Sequence, residues 1–226
     1  MTHKIGVLGG IGPEGTGEYY NKLIRRLQER GLIQRNADFP QIVVNSVPAN
    51  EPAYGQDYGD DLSVESKGLQ ELDAFGVDFI VMVCNTVHAY YDRLQALIKT
   101  PILDLREAVK QALQGSKSAL ILGGPDTVKK GIYRFEGIQN YEPNEEELKI
   151  LSDVIFNFNK GYEQAKQAEM VRNIVKKYVA QGAETVILAC TEFAIMLGNE
   201  DFKKINTIDV LVEATIDRFV TFKKAQ

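Results

Sequence analysis

Gly76-Val-Asp-Phe-Ile-Val-Met-Val-Cys84-Asn85-Thr86 and Gly182-Ala-Glu-Thr-Val-Ile-Leu-Ala-Cys190-Thr191-Glu192 read as two copies of one segment. Each opens on Gly, places a carboxylate two residues later, runs through apolar residues and ends in Cys followed by polar side chains. A continuous apolar run of strand length describes a strand buried on both faces, as in a parallel sheet covered by helices. The two cysteines that close these runs are the only ones in the chain.

Working outward, the duplication widens. Ile5-Gly-Val-Leu-Gly-Gly10 and Ala119-Leu-Ile-Leu-Gly-Gly124 each join an apolar strand to a Gly-Gly turn, and a segment bearing Tyr follows each (Tyr19-Tyr20; Tyr133). Apolar runs alternate with stretches of helical period along the whole chain, the signature of an α/β fold with parallel sheets. Strands are expected at 4–9, 41–47, 79–83, 102–104, 118–122, 186–189 and 207–208. Helices are expected at 13–29, 60–75, 90–97, 106–114, 145–157, 164–181 and 211–222. In the helix expected at 164–181, Ala165, Ala168, Val171, Val175 and Tyr178 recur at helical spacing and mark a core face. Two similar lobes follow, each a mostly parallel sheet flanked by helices. Residues 1–100 with about 207–226 form the first and 101–206 the second, with a boundary near Thr100-Pro101.

The chain of 226 residues is long enough to bury a large core. Its apolar share of 44% and charged share of 25% are those of a soluble globular protein. A net charge of −5 with dispersed Lys and Arg argues against nucleic acid or an anionic membrane as partner. No apolar run has the length of a membrane span, and the strand expected from Lys4 leaves no room for a signal peptide. Two cysteines without a CxxC pattern point to free thiols in a reducing compartment, so a cytoplasmic protein is expected.

Parallel sheets gather functional groups at the carboxyl ends of their strands, and both cysteines fall there. A thiol at a helix start is expected to have its pKa drawn down towards neutrality by the dipole and free N–H groups. Cysteine also packs readily as a small buried residue. Packing alone, however, does not require Cys in both copies. Three readings of a facing pair remain: a disulfide, which a cytosolic setting disfavours; a zinc site, for which His3 and His88 supply no suitable spacing; and two acid–base catalysts flanking a carbon that loses and regains a proton.

Gly9-Gly10 and Gly123-Gly124 suit close approach of backbone to a small anion, and equally suit tight strand-to-helix turns. Gly9-Gly10-Ile-Gly12 lacks the full spacing of a dinucleotide fingerprint, and no phosphate loop or nucleophile elbow is present. Catalysis without cofactor or metal is the simplest inference. His88 lies one helical turn after Cys84, where it can bias the thiol or cap a polar network. Lys160, before Gly161 at an expected helix end, complements the helix dipole.

Ile5-Gly-Val-Leu-Gly-Gly-Ile-Gly-Pro-Glu14, Val83-Cys-Asn-Thr-Val-His88, Thr127-Val-Lys-Lys-Gly-Ile-Tyr133 and Ala189-Cys-Thr-Glu192 together resemble the aspartate/glutamate racemase superfamily, in its aspartate racemase branch. The resemblance covers essentially the whole chain, with Asp126 standing where the family usually has Gly. It implies a racemase independent of pyridoxal phosphate, with its active site between two pseudo-symmetric lobes and a homodimeric assembly. It implies that Cys84 and Cys190 are the two bases. Gly10, Asn85, Thr86, Thr127 and Thr191 would bind substrate, and Lys160 would hold a substrate carboxylate. Asn50 stands where many aspartate racemases carry an Arg. An amide cannot form the bidentate charged fork of a guanidinium, so glutamate-type or broad amino-acid specificity is the alternative to aspartate. Other members of the superfamily, such as hydantoin racemases and maleate isomerases, and a non-catalytic amino-acid-binding domain complete the set of readings.

Overall fold

The computed structural model describes residues 3–50, 54 and 61–224; Glu51, Asp60 and residues 225–226 lie outside the described residues. Strands β1 (Lys4–Gly9), β2 (Gln41–Ser46) and β3 (Phe79–Met82) form one sheet in the order β2-β1-β3. Strands β4 (Ser118–Gly123), β5 (Gln139–Tyr141), β6 (Thr185–Ala189) and β7 (Lys204–Asn206) form a second in the order β5-β4-β6-β7. Every pairing is parallel. β1, β2 and β3 therefore correspond to β4, β5 and β6, and the duplicated cysteine segments occupy equivalent places.

The helices are α1 (Pro13–Glu29), α2 (Ser63–Phe75), α3 (Tyr91–Gln95), α4 (Leu105–Ala112), α5 (Pro125–Lys129), α6 (Glu145–Asn159), α7 (Gln164–Ala180), α8 (Thr191–Met196) and α9 (Thr207–Lys224). Proline at the first turn of α1 and of α5 costs no hydrogen bond there and presets φ for the helix. α1 buries Tyr19, Leu23 and Leu27, spaced four apart, against the first sheet and α9. Full burial of each such side chain stabilises the fold by about 1.5–3 kcal/mol. β3, β4 and β6 are buried along their whole length, as helix-covered parallel strands must be. One core runs through β1, β3, β4, β6, α1, α4 and α9; a smaller one, with Leu8, Leu69, Leu72, Ile80 and Met82, lies between the first sheet and α2.

Two expected strands change and one unexpected strand is present. Residues 102–104 contribute a single bridge, Ile102 to Ile80, because the Asp104 carboxylate accepts from the Arg106 N–H (2.9 Å) and starts α4. The strand expected at 207–208 lies instead at Lys204–Asn206. The Asn206 Oδ1 accepts from the N–H groups of Ile208 (3.0 Å) and Asp209 (3.3 Å), which turns Thr207 into a helix start. β5 was not expected: Gln139-Asn140-Tyr141 is a polar edge strand with no apolar run to announce it. The stretch 101–112, read with the second lobe, lies against the first sheet through the Ile102 bridge and through α4 on α9. α9 follows β7 of the second sheet directly and packs on α1 and α4.

Candidate active site

β3 and β6 both end at the carboxyl edge of their sheets, one residue or two before a thiol. Cys84 follows β3 and leads into a 3-10 turn at Thr86–Tyr90; Cys190 follows β6 and caps α8. Both thiols line one cavity of about 490 Å³. From the first half come Gly10, Ile11, Gly12 and Pro13 of the β1–α1 turn, with Ala49 and Asn50 after β2. Gly124, Pro125, Asp126, Lys129 and Lys130 face them from the β4–α5 turn, and Ser152, Ile155, Phe156 and Asn159 of α6 form a wall.

The β1–α1 turn reaches the second cysteine because its glycines permit it. Gly10 has φ +83° and Gly12 φ +85°, a left-handed backbone that favours glycine. A Cβ on Gly12 would stand 2.6 Å from Glu192 Oε1, and one on Gly15 2.6 Å from Thr191 Cβ. Contact between α1 and α8 thus needs bare backbone at both positions.

Of the residues singled out in the sequence, Gly10, Asn50, Cys84, Asn85, Thr86, Cys190 and Thr191 line the cavity. Thr127 is buried behind it, its hydroxyl 2.8 Å from that of Thr86. Lys160 caps the end of α6, exposed and outside the lining, with Nζ 5.9 Å from the Phe156 ring centroid. Asn50 is exposed at the cavity rim. Asn85 is buried and held from two sides. Its Oδ1 accepts from Tyr133 Oη (2.6 Å), and its Nδ2 donates to Thr207 Oγ1 (3.2 Å), which donates in turn to the Leu188 carbonyl (2.8 Å). That chain of bonds ties the Cys84 turn to β6.

His88 is fully buried and its Nδ1–H donates to the Cys84 carbonyl (2.8 Å). Burial lowers its pKa, so the ring is neutral and fixes the turn rather than supplying charge. The thiols differ from their expected acidity. Burial pushes the Cys84 thiol up to about 12, against the opposing pull of the Val87 and Thr86 N–H groups. Burial also raises Cys190 well above the ordinary thiol value, and the neighbouring Glu192 carboxylate adds to the rise. Helix-start donors are present at both thiols, but desolvation outweighs them.

Glu192 is the residue sequence reasoning passed over. It is buried, lines the cavity, and its Oε2 accepts from Cys190 Sγ (2.8 Å) and Thr191 Oγ1 (2.9 Å). Its place directly after Cys-Thr was the available signal. Tyr133, visible only as a repeated Tyr, is the buried donor that orients Asn85. Among the described residues no group of three or more His, Cys, Asp or Glu has the arrangement to hold a metal ion, and no helix is long and apolar enough to cross a membrane.

A family model described as Asp/Glu/Hydantoin racemase matches residues 8–215. The broad specificity amino-acid racemase RacX of Bacillus subtilis is 24% identical over 227 residues, covering 97% of this chain and 99% of that one. Among solved structures, the aspartate racemase of Picrophilus torridus superposes with a TM-score of 0.75 at 22% identity, covering 96% of this chain and 94% of that one. An aspartate racemase homologue from Pyrococcus horikoshii gives 0.71 at 24% identity, covering 96% and 98%. These structures share the α/β fold seen here.

Proposed function

Since the chain belongs to the Asp/Glu/hydantoin racemase family, we propose that it interconverts the enantiomers of an amino acid by two-base proton transfer, with Cys84 and Cys190 as the bases. The observation that carries this reading is the lining of one cavity by two thiols from equivalent strand ends, one from each sheet. In one direction the thiolate of one cysteine takes the α-proton and becomes a thiol, while the thiol of the other delivers its proton to the opposite face of the carbanion and becomes the thiolate. Charge and protons balance within the site, and the reverse direction exchanges the roles. The carbanion is stabilised by oriented donors at the two helix starts. The Thr86 and Thr191 side chains, with the N–H groups at the start of the turn and of α8, serve the substrate carboxylate and amino group. Asn85 is held by Tyr133 and Thr207, so it acts mainly by fixing the turn behind them.

For the substrate side chain, aspartate is the reading that follows from the resemblance. Lys129 and Lys130 are the cations of the lining and give the mouth positive charge that an acidic side chain would meet, with Lys129 Nζ shared with the Glu145 carboxylate at 3.1 Å. Broad specificity is the second reading, supported by Asn50 at the rim and by the apolar wall of Ile11, Ile155 and Phe156. A volume of about 490 Å³ gives room for side chains larger than that of aspartate.

The test is incubation of single enantiomers of a panel of amino acids in deuterated water with no added cofactor. Inversion with α-deuterium uptake is expected, and C84A and C190A are each expected to abolish inversion. Full inversion by either variant overturns the two-thiol scheme, and the panel decides between the two substrate readings.

A further inference from the structure

Four residues of α6 line the cavity, Ser152, Ile155, Phe156 and Asn159, and their i, i+3, i+4, i+7 spacing puts them on one helical face. Lys160, one position past Asn159, is exposed and stays outside the lining. We infer that this face reads the substrate side chain and selects α-amino acids with long uncharged side chains, such as leucine and methionine, over aspartate and glutamate. Phe156 sets that preference by presenting its ring to the cavity and holding Lys160 away from it. This rests on the racemase reading above and gives its substrate class.

Phe156 is placed for that task. It is half-buried, yet among the described residues it packs on neither apolar core, whereas its neighbour Ile155 packs on the larger one. An aromatic ring in a cavity wall and outside the core offers its apolar surface to whatever fills the cavity. The ring also meets a cation. Lys160 lies one helical turn further along, with Nζ 5.9 Å from the Phe156 ring centroid, within range of attraction by the electron-rich face. With the ring at position 156, the ammonium rests on aromatic carbon. With a small residue there, the same i, i+4 neighbour is released to turn towards the cavity.

The charged side chains of the lining leave no surplus for a second carboxylate. Lys129 and Lys130 are matched there by Asp126 and Glu192. Lys129 Nζ is 3.1 Å from the Glu145 carboxylate and 5.2 Å from the Tyr54 ring centroid, and Lys130 Nζ is 5.1 Å from that of Tyr90. Asn50 at the rim carries no charge. The α-carboxylate that every amino acid brings has the donors of the two helix starts. A side-chain carboxylate would give up water against Ile155 and Phe156 with no surplus cation to replace it, which is costly. An uncharged chain meets no such cost and gains from apolar burial on the same wall.

The experiment is kcat/KM for single enantiomers of leucine, methionine, aspartate and glutamate with the wild-type enzyme, F156A and F156A/K160A. The wild-type enzyme is expected to favour leucine and methionine over both acids by about 10²-fold. Alanine keeps the helix, and F156A should move the ratio towards the acids by about 10-fold or more, the strength of a charge-assisted hydrogen bond. Adding K160A should take that shift away. A wild-type enzyme that turns over aspartate or glutamate as well as leucine overturns the inference. So does an F156A variant that loses activity alike on all four, or a shift that survives K160A, because a merely structural Phe156 would act that way. Should F156A not fold, the wild-type ratio decides alone. Failure of the racemase reading looks different, since the wild-type enzyme then inverts none of the four. Titration calorimetry with leucine and aspartate still reads the preference in that case: tighter binding of leucine supports the inference, and equal or tighter binding of aspartate overturns it.

Discussion

Cys84 and Cys190 end equivalent strands, yet the atoms around them are not equivalent. Beside Cys84 stand the N–H groups of Val87 and Thr86, and its carbonyl is pinned by His88. Beside Cys190 stand one N–H group and a carboxylate. The turns that lead to them differ in the same way. Gly12 and Gly124 both cap a helix that opens on proline. Gly12, however, has φ +85° and presses on Glu192 and Thr191. Gly124 has φ −63°, and a Cβ there would meet only Ile155 Cδ1, at 3.4 Å. A repeated scaffold therefore fixes where the two thiols sit. The first residues beyond each strand fix what each thiol can do.

The glycine caps give the largest expected difference between the halves. Gly12→Ala should cost about 2–4 kcal/mol from left-handed strain and overpacking together. Gly124→Ala should cost under about 1 kcal/mol, the ordinary loss at a helix cap. Urea denaturation of both variants measures the contrast, and equal costs would break it.

A smaller effect is expected at the bond that joins the Cys84 turn to the second half. Tyr133→Phe removes the donor to Asn85 Oδ1 and leaves that oxygen buried, at a cost of about 1–3 kcal/mol by thermal or urea denaturation. The smallest effect concerns alkali. Burial raises both thiols, so the folded protein holds protons that the unfolded chain releases once pH passes the ordinary thiol value. Stability from this source is complete below about pH 8.5 and falls as pH rises from there towards the folded values, by less than about 1 kcal/mol per thiol at pH 9. Denaturation at pH 8 and pH 9 should show the decline, and C84A or C190A should each remove one thiol's share of it. A decline that survives both substitutions would place its origin elsewhere.

Much of the architecture was legible because burial on two faces leaves an unmistakable pattern. β1, β4, β6, α1 and α7 sit within a residue or so of where their apolar runs and helical spacing put them. Short or polar elements were not legible: α5 and α8 are too brief to show a period, and Gln139-Asn140-Tyr141 reads as a loop. The strand expected at 207–208 slipped because the capping role of Asn206 outweighed the apolar character of Ile208. In the site, the thiols announced themselves by repetition. Glu192 did not, since its contact with Cys190 depends on how closely Gly12 and Gly15 let α1 approach α8. The raised pKa values of the two thiols had the same origin in depth of burial, which spacing does not reveal.

The path of the chain also ties the two sheets to each other. It passes from the first sheet to the second between α4 and β4, and returns from β7 straight into α9, which lies on α1 and α4. The two sheets are thus joined by two covalent crossings and share one buried core. The return crossing is fixed by hydrogen bonds as well, since Thr207 is bonded to Leu188 on one side and Asn85 on the other. Cys84, one residue from Asn85, sits beside the bonds that lock the two sheets together.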